Sequence, residues 1–447
     1  MRAVILAAGE GKRLRASFDR PKPLIRLCGL SLIERSILSL RACGIKEFVV
    51  ITGRYRREIE THLGDGKRLG VAVEYLHNPD WALGNGVSAY TFHRAYRPGE
   101  RFLLVMADHI FEPKVLQDFL AQEQRLAPDQ VLLAADRDLE QVFDLEECTK
   151  IKMSGDKPER LGKDLKNFSS VDCGLFMGTG TLLDALGAAI DKGAYALTDA
   201  VNALAAAGRL KLHFISGRWI DVDDRDSHLQ AEKMLLNALI PSKDGFISKN
   251  LNRRFSLPIT RQLAKTKVTP NQITFLSLVV AAASALAFGL GRPWAGGLLA
   301  QFCSILDGVD GEIARLKFLQ NKFGALFDAV LDRYADYMIV FGMVYGWYAQ
   351  AAHPSALVFG VLALTGIPMS MLFKEKYHAL TGSTYIPELH DGVLHYLPAN
   401  RDGRLFLIML GGIFNQVPLV LILLALITHL QALARLVKAR QLMQHHG

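Results

Sequence analysis

Short apolar runs at residues 3–7, 48–51, 72–75, 102–106 and 131–134 are separated by stretches whose apolar positions recur every three or four residues. This alternation predicts an α/β domain over residues 1–235, with a mainly parallel sheet covered on both faces by helices. From about residue 270 the pattern changes, because charged residues thin out and apolar stretches approach the roughly 20 residues that cross a bilayer. An all-α membrane domain is predicted over 271–440, with six transmembrane helices near 272–290, 294–314, 323–346, 355–373, 402–415 and 417–437. Between the two domains, 236–270 reads as a basic juxtamembrane connector with an amphipathic helix, carrying Lys249, Arg253, Arg254, Arg261, Lys265 and Lys267.

The chain of 447 residues has 52 Lys and Arg against 44 Asp and Glu, a formal charge of +8. Much of the surplus flanks the apolar segments, which fits membrane topology and phosphate substrates and argues against a nucleic-acid partner. Arg315, Lys317 and Lys322, then Lys374, Lys376, Arg401 and Arg404, then Arg435, Lys438 and Arg440 fall on one side of the bilayer. The opposite loops offer only Arg292 and His353. The positive-inside rule therefore puts both termini and the soluble domain in the cytoplasm, as a multi-pass protein of the cell membrane. The opening residues read as a strand and a Gly-rich turn, not a leader. Five cysteines, at 28, 43, 148, 173 and 303, have neither metal-ligand spacing nor a disulfide pattern.

The first chemical signal is Leu6-Ala7-Ala8-Gly9-Glu10-Gly11-Lys12-Arg13-Leu14, followed by Arg20-Pro21-Lys22-Pro23-Leu24. A strand running into such a turn presents N–H groups to phosphate oxygens, and Arg13 and Lys22 add cationic donors. A later run ends in Val105-Met106-Ala107-Asp108, a carboxylate at a strand's C-terminal edge suited to Mg2+. Asp221 and Asp223 share one strand face and offer a second ligand, with the choice between them open.

This half resembles the nucleotidyltransferases that couple a nucleoside triphosphate to a sugar or alcohol phosphate, with a Rossmann-like sheet. The resemblance implies that Leu6, Ala8, Gly9 and Gly11 line the triphosphate, Arg13 stabilises departing pyrophosphate and Lys22 engages the phosphates. Trp81 to Ser88 looks like the segment over base and ribose, with Asn85 reading the base edge and Gly86 allowing close approach. Lys152, Lys163 and Asp172 are candidates for the alcohol-phosphate pocket. The family's usual Thr-Pro-Glu-Asp after the second aspartate pair is replaced by Asp224-Arg225-Asp226-Ser227, and its Gly-Asp by Ala107-Asp108.

The second signal is Asp307-Gly308-Val309-Asp310-Gly311-Glu312-Ile313-Ala314-Arg315, followed by Gly324, Asp328 and Asp332. Helical spacing puts Asp307 with Asp310, and Asp328 with Asp332, on single faces, where four carboxylates near a membrane boundary need cations. The spacing is similar to the CDP-alcohol phosphotransferase signature. That resemblance implies that Asp307, Asp310 and Asp328 hold one or two metal ions, with Asp332 as a further acidic ligand candidate and as general base. Gly311 and Gly324 would admit the nucleotide, and Asn271 in Pro270-Asn271-Gln272-Ile273-Thr274 would lie near cytidine. Arg315 would contact phosphate, and Asp336 continues the acidic face as an assistant.

The fused pair is similar to the bifunctional inositol-1-phosphate cytidylyltransferase and di-myo-inositol-phosphate-phosphate synthase family. It implies CTP-dependent formation of CDP-inositol, then transfer of phosphoinositol to a second inositol 1-phosphate, with Mg2+ or alternatively Mn2+ as cofactor. Basic loops carrying Lys374, Lys376, Arg401 and Arg404 fit a phosphorylated acceptor. A lipid bilayer and a homodimer through the membrane domain complete the expected partners. Phosphocholine, phosphoethanolamine or glycerol phosphate in place of inositol 1-phosphate is the alternative within this architecture, and a nucleotide-regulated transporter is the alternative outside it.

Overall fold

The computed structural model describes the chain except residues 12, 13, 15–17, 242–246, 393, 395, 396 and 445–447. The expected role of Arg13, and residues 242–246 of the connector, lie outside the described residues. The chain divides into two compact units, Met1–Ala238 and Leu239–Gly447.

In the first unit, β1 (Arg2–Ala7), β2 (Glu47–Thr52), β3 (Ala72–His77) and β4 (Phe102–Met106) run parallel in the order β4-β1-β2-β3. Every residue of β1 is buried, as an inner strand covered on both faces requires. Leu6 pairs with Ile51 on one side and Met106 on the other, so the turn after β1 and the end of β4 lie level. The far half of the sheet departs from the parallel expectation. There β6 (Val131–Asp136), β7 (Lys150–Ser154), β8 (Lys157–Gly162), β9 (Ser170–Gly178) and β10 (Leu210–Phe214) continue it, with β9 antiparallel to β4, β6 and β7. The exposed, charge-rich stretches of β7 and β8 lack the apolar run that marks a buried strand.

A two-stranded ribbon of β5 (His109–Phe111) and β11 (Trp219–Asp221) pairs Asp221 with His109. Val222 N donates to Asp108 O at 3.1 Å, drawing the second acidic segment onto the end of β4. Helix α1 (Arg225–Asn237) follows at once, and the Asp224 side chain caps it by accepting from Ser227 N at 2.7 Å. The unusual Asp-Arg-Asp-Ser continuation thus carries its own helix start.

In the second unit α2 (Arg253–Ala264) precedes α3 (Pro270–Gly289), α4 (Pro293–Leu316) and α5 (Lys322–Ala351). These are followed by α6 (Ser355–Gly366), α7 (Met369–Thr381), α8 (Arg401–Ile413) and α9 (Val417–Gln444). Helix α3 packs on α4 and α5, and α4 packs on α8. Ala281, Ala300, Cys303, Ile339, Met343, Ile408 and Leu421 form the shared core, small residues letting the helices approach. Phe275, Leu286, Trp294, Phe341, Leu433 and Val437 are exposed around the bundle, an apolar rim suited to lipid.

Among the described residues, Pro270–Gly289, Ser355–Thr381 and Val417–Met443 are long and apolar enough to cross a membrane. The sequence predicts six such spans. Helices α4 and α5 carry charged residues at one end, which lowers their mean hydropathy, and α8 is short for a crossing.

Candidate active sites

At the C-terminal edge of the first sheet, Lys22 is buried with three carboxylates around its ammonium. Its Nζ lies 2.5 Å from Asp108 Oδ2 and 3.5 Å from Asp221 Oδ1, and it also bonds Asp223. Burial opposes the Lys22 charge, but the three carboxylates outweigh it and hold its pKa above the usual lysine value. Burial likewise opposes ionisation of Asp108, and Lys22 with His109 reverses that, holding it well below the usual carboxylate range. Gly11 makes this arrangement possible: its φ is +62°, and a Cβ there would fall 2.5 Å from Lys22 Cβ. Leu6, Gly9, Gly11, Lys22, Asp108 and Asp223 line one cavity of about 310 Å3.

A second cavity, of about 190 Å3, opens beside it and includes Asn85, His109, Lys163, Asp172, Trp219 and Asp221 among its lining residues. His109 Nδ1 donates to Asp108 Oδ1 at 2.9 Å, and the ring stacks on Trp219 with ring centroids 5.7 Å apart. Burial opposes a charge on His109, yet Asp221 and Asp108 push its pKa up to about 9. Burial pushes Asp221 up, and its Oδ1 is buried without a hydrogen-bond partner. Oxygen or nitrogen atoms of Asp108, His109 and Asp221 all lie within 4.8 Å of one another, a donor set that fits a divalent cation.

Asp172 sits on the far wall of this cavity. Burial pushes its carboxyl up to about 6, against a hydrogen bond from Gly174 N at 2.7 Å that favours the charged form. The unfolded chain ionises near the ordinary 3.8, so the folded state holds the extra proton between those values. Stability therefore falls as pH rises from 3.8 to 6 and loses nothing further above that. Asp172→Asn is expected to raise the unfolding temperature of the full chain at about pH 8 and to leave it nearly unchanged near about pH 4. A lower unfolding temperature than wild type at the higher pH would mean that the cavity stabilises the carboxylate.

In the helical unit, carboxylate oxygens of Asp307, Asp310 and Asp328 lie within 4.8 Å of one another. Asp328 Oδ1 is buried without a hydrogen-bond partner, and Asp310 accepts from Thr274 Oγ1 at 2.5 Å. An orphaned oxygen within an all-carboxylate triple fits a hard divalent cation. Beside it, Arg401 Nη1 bridges Asp307 Oδ1 at 2.6 Å and Asp332 Oδ1 at 2.8 Å. Asn271, Asp310, Gly311, Arg315, Gly324 and Asp328 line a cavity of about 470 Å3. Arg333, Lys374, Arg401, Arg404 and Arg435 contribute to another, of about 450 Å3.

Residues 3–169 match the MobA-like NTP transferase domain family, and 267–434 match the CDP-alcohol phosphatidyltransferase family. A Rubrobacter xylanophilus protein named bifunctional IPC transferase and DIPP synthase is 35% identical over 98% of this chain and 96% of its own. The chain belongs to the family of bifunctional IPC transferases and DIPP synthases. An Archaeoglobus fulgidus protein of the same name is 33% identical over 94% of this chain and 79% of its own. The solved inositol-1-phosphate CTP transferase from T. maritima is 24% identical, covering 52% of this chain and 95% of that one, with a TM-score of 0.45.

Members of the IPC transferase and DIPP synthase family are bifunctional enzymes, and most of the described residues expected at the sites of this one line the cavities above. Asn85 lines the second cavity, where its Oδ1 accepts from Leu197 N at 2.9 Å at the start of helix Leu197–Ala206. The space beside Gly86 is filled by the chain itself, since a Cβ there would fall 2.6 Å from Tyr195 O. Ala8 is buried behind the turn. Lys163 lines the second cavity and pairs with Glu147 at 3.2 Å, whereas Lys152 pairs with Glu159 on the surface. Arg401 and Arg404 hold the two oxygens of Asp336 at 3.2 and 2.8 Å. Arg401 and Arg404 belong to the first turn of α8, not to a loop.

Sequence reasoning missed His109, the residue directly after the recognised Asp108. It also missed Arg401 as a partner of the signature aspartates. His109 stood next to a known motif and was within reach of that signal; Arg401 reaches its site only through the packing of α8 on α4.

Proposed function

We propose that the first unit joins CTP and inositol 1-phosphate into CDP-inositol with release of pyrophosphate. The helical unit then transfers phosphoinositol to a second inositol 1-phosphate and releases CMP. The observation that carries this reading is the presence of both acidic clusters in one chain that matches its bifunctional relatives nearly end to end.

In the first reaction a phosphate oxygen of inositol 1-phosphate attacks the α-phosphorus of CTP and pyrophosphate leaves. The glycine turn and Lys22 hold the triphosphate, with Arg13 assigned to the departing pyrophosphate. Asp172 and Lys163 bind the inositol and its phosphate, and Trp219 gives the ring a flat wall. Asp108, with Asp221 or Asp223 and the adjoining His109, would hold Mg2+ or Mn2+. In the second reaction an acceptor hydroxyl attacks the β-phosphorus, and Asp332 takes its proton. Asn271, Gly311 and Arg315 hold the CDP moiety, and the arginine-lined cavity beside Asp332 holds the acceptor's own phosphate. Asp307, Asp310 and Asp328 would hold one or two divalent ions. When bound, such cations neutralise phosphate charge and make pyrophosphate and CMP better leaving groups.

The catalytic regions are assigned to 1–235 and 271–440, joined by the basic connector 236–270. Helices α3, α4, α5, the pair α6 and α7, α8 and α9 are assigned as six crossings, with both termini in the cytoplasm by the distribution of Lys and Arg. A homodimer through the membrane domain is assigned to the exposed apolar rim of the bundle.

The test is mass spectrometry of products from membranes holding the full chain, Mg2+, CTP and inositol 1-phosphate, with phosphocholine in a parallel reaction. CDP-inositol followed by phosphorylated di-inositol phosphate is expected. CDP-choline instead would reject the inositol assignment while keeping the mechanism.

A further inference from the structure

Helix α2 lies along α4, and their contact is a polar seam. Asn252, immediately before α2, and Ser256 and Thr260 within it follow one another at four-residue steps, as do Ser304, Gly308 and Glu312 on α4. Helical periodicity puts each set in one stripe. Gln301 Nε2 donates to Asn252 Oδ1 at 2.6 Å, and Asn252 Nδ2 donates to Ser304 Oγ at 3.0 Å. Arg253 Nη1 reaches Gly308 O at 3.4 Å and pairs with Glu312. Ser256 Oγ donates to Glu312 Oε1 at 2.6 Å, and Thr260 donates to the other oxygen. Glu312 is 0% exposed and Arg253 7%.

On α4, Glu312 lies about 140° around the helix from Asp307 and about 160° from Asp310, given about 100° of rotation per residue. A buried ion pair is a poor source of stability, since well-packed apolar residues do as well or better. What it adds is direction. Helices in a bilayer lack a hydrophobic drive toward any one rotation, so rotation is set by small-residue packing and by interhelical hydrogen bonds. A carboxylate with both oxygens engaged by three side chains of one neighbouring helix does specify it. The seam also reaches α8, because Ser304 Oγ donates to Asp402 Oδ1 at 3.1 Å, next to Arg401.

We propose that Glu312 is a positioning residue for phosphoinositol transfer: through Arg253, Ser256 and Thr260 of the surface helix it sets the rotation of α4 that aims Asp307 and Asp310 at Asp328. This rests on the reading of those three aspartates as a metal set. The surface helix is then part of the transfer machinery, although none of its residues lines the nucleotide cavity.

The test uses the full chain. Glu312→Gln is expected to lower kcat for CMP release from CDP-inositol and inositol 1-phosphate by about tenfold to a hundredfold. CDP-inositol formation by the same preparation should be unchanged. In an Asp108→Asn background, which removes the other candidate metal site, Mn2+ affinity followed by electron paramagnetic resonance should weaken by about tenfold. The paired variant Arg253→Met/Glu312→Leu removes both charges, so it carries the test if the single variant does not fold. It should regain wild-type thermal stability without regaining Mn2+ affinity or transfer. Wild-type Mn2+ affinity and CMP release in the paired variant would overturn the proposal and leave the seam a merely structural contact. A wild-type chain that releases no CMP from CDP-inositol and inositol 1-phosphate would instead overturn the reading on which the proposal rests.

Discussion

Asp108→Asn is expected to slow CDP-inositol formation by about a thousandfold or more, while transfer from supplied CDP-inositol continues at the wild-type rate. The size follows from the several kcal/mol that a correctly held divalent cation contributes to charge stabilisation, at about 1.4 kcal/mol per factor of ten. Asp108 lies in the turn just after β4, level with the phosphate turn, and among the described residues it is the one carboxylate hydrogen-bonded to His109. Its replacement by an amide leaves Asp221 and Asp223 to hold Lys22, so the local fold should survive. Pyrophosphate release from CTP with inositol 1-phosphate, and CMP release from CDP-inositol with inositol 1-phosphate, are measured on one preparation. A parallel fall in both activities of a folded protein would mean that the two units do not divide the work as assigned.

The mirror-image result is expected from Asp332→Asn. Loss of a positioned general base costs about a hundredfold to ten-thousandfold, so CMP release should fall by that much and CDP-inositol should accumulate. The variant keeps the carboxylate triple of Asp307, Asp310 and Asp328. It also leaves Arg401 anchored to Asp307 and Asp336, so a collapse of the bundle is not expected. Mass-spectrometric detection of accumulated CDP-inositol is the check. A loss of less than about tenfold would move the proton acceptor to another group.

Much of both sites was legible because it is local in sequence. The turn Gly9-Glu10-Gly11 follows a buried strand directly, and the pairs Asp307 with Asp310 and Asp328 with Asp332 sit at helical spacing. The hydrogen bond made by Asn85 was not legible, for the opposite reason. The neighbours of Asn85 in sequence suggest a base-covering segment, and its Oδ1 accepts from Leu197 N, a partner that only folding brings near. The antiparallel strands β7 and β8 escaped notice because half-exposed, charged strands lose the apolar run by which inner strands are read.

The sequence alone determined that there are two kinds of domain and two acidic motifs, because strand and helix periods and short motif spacings are set by neighbouring residues. Tertiary structure decided what each motif faces. It placed Lys22 among Asp108, Asp221 and Asp223, Arg401 between Asp307 and Asp332, and Glu312 against Arg253. These are pairings of charges far apart along the chain, and the periodicity of one helix or strand carries no information about which distant charge will be packed against it.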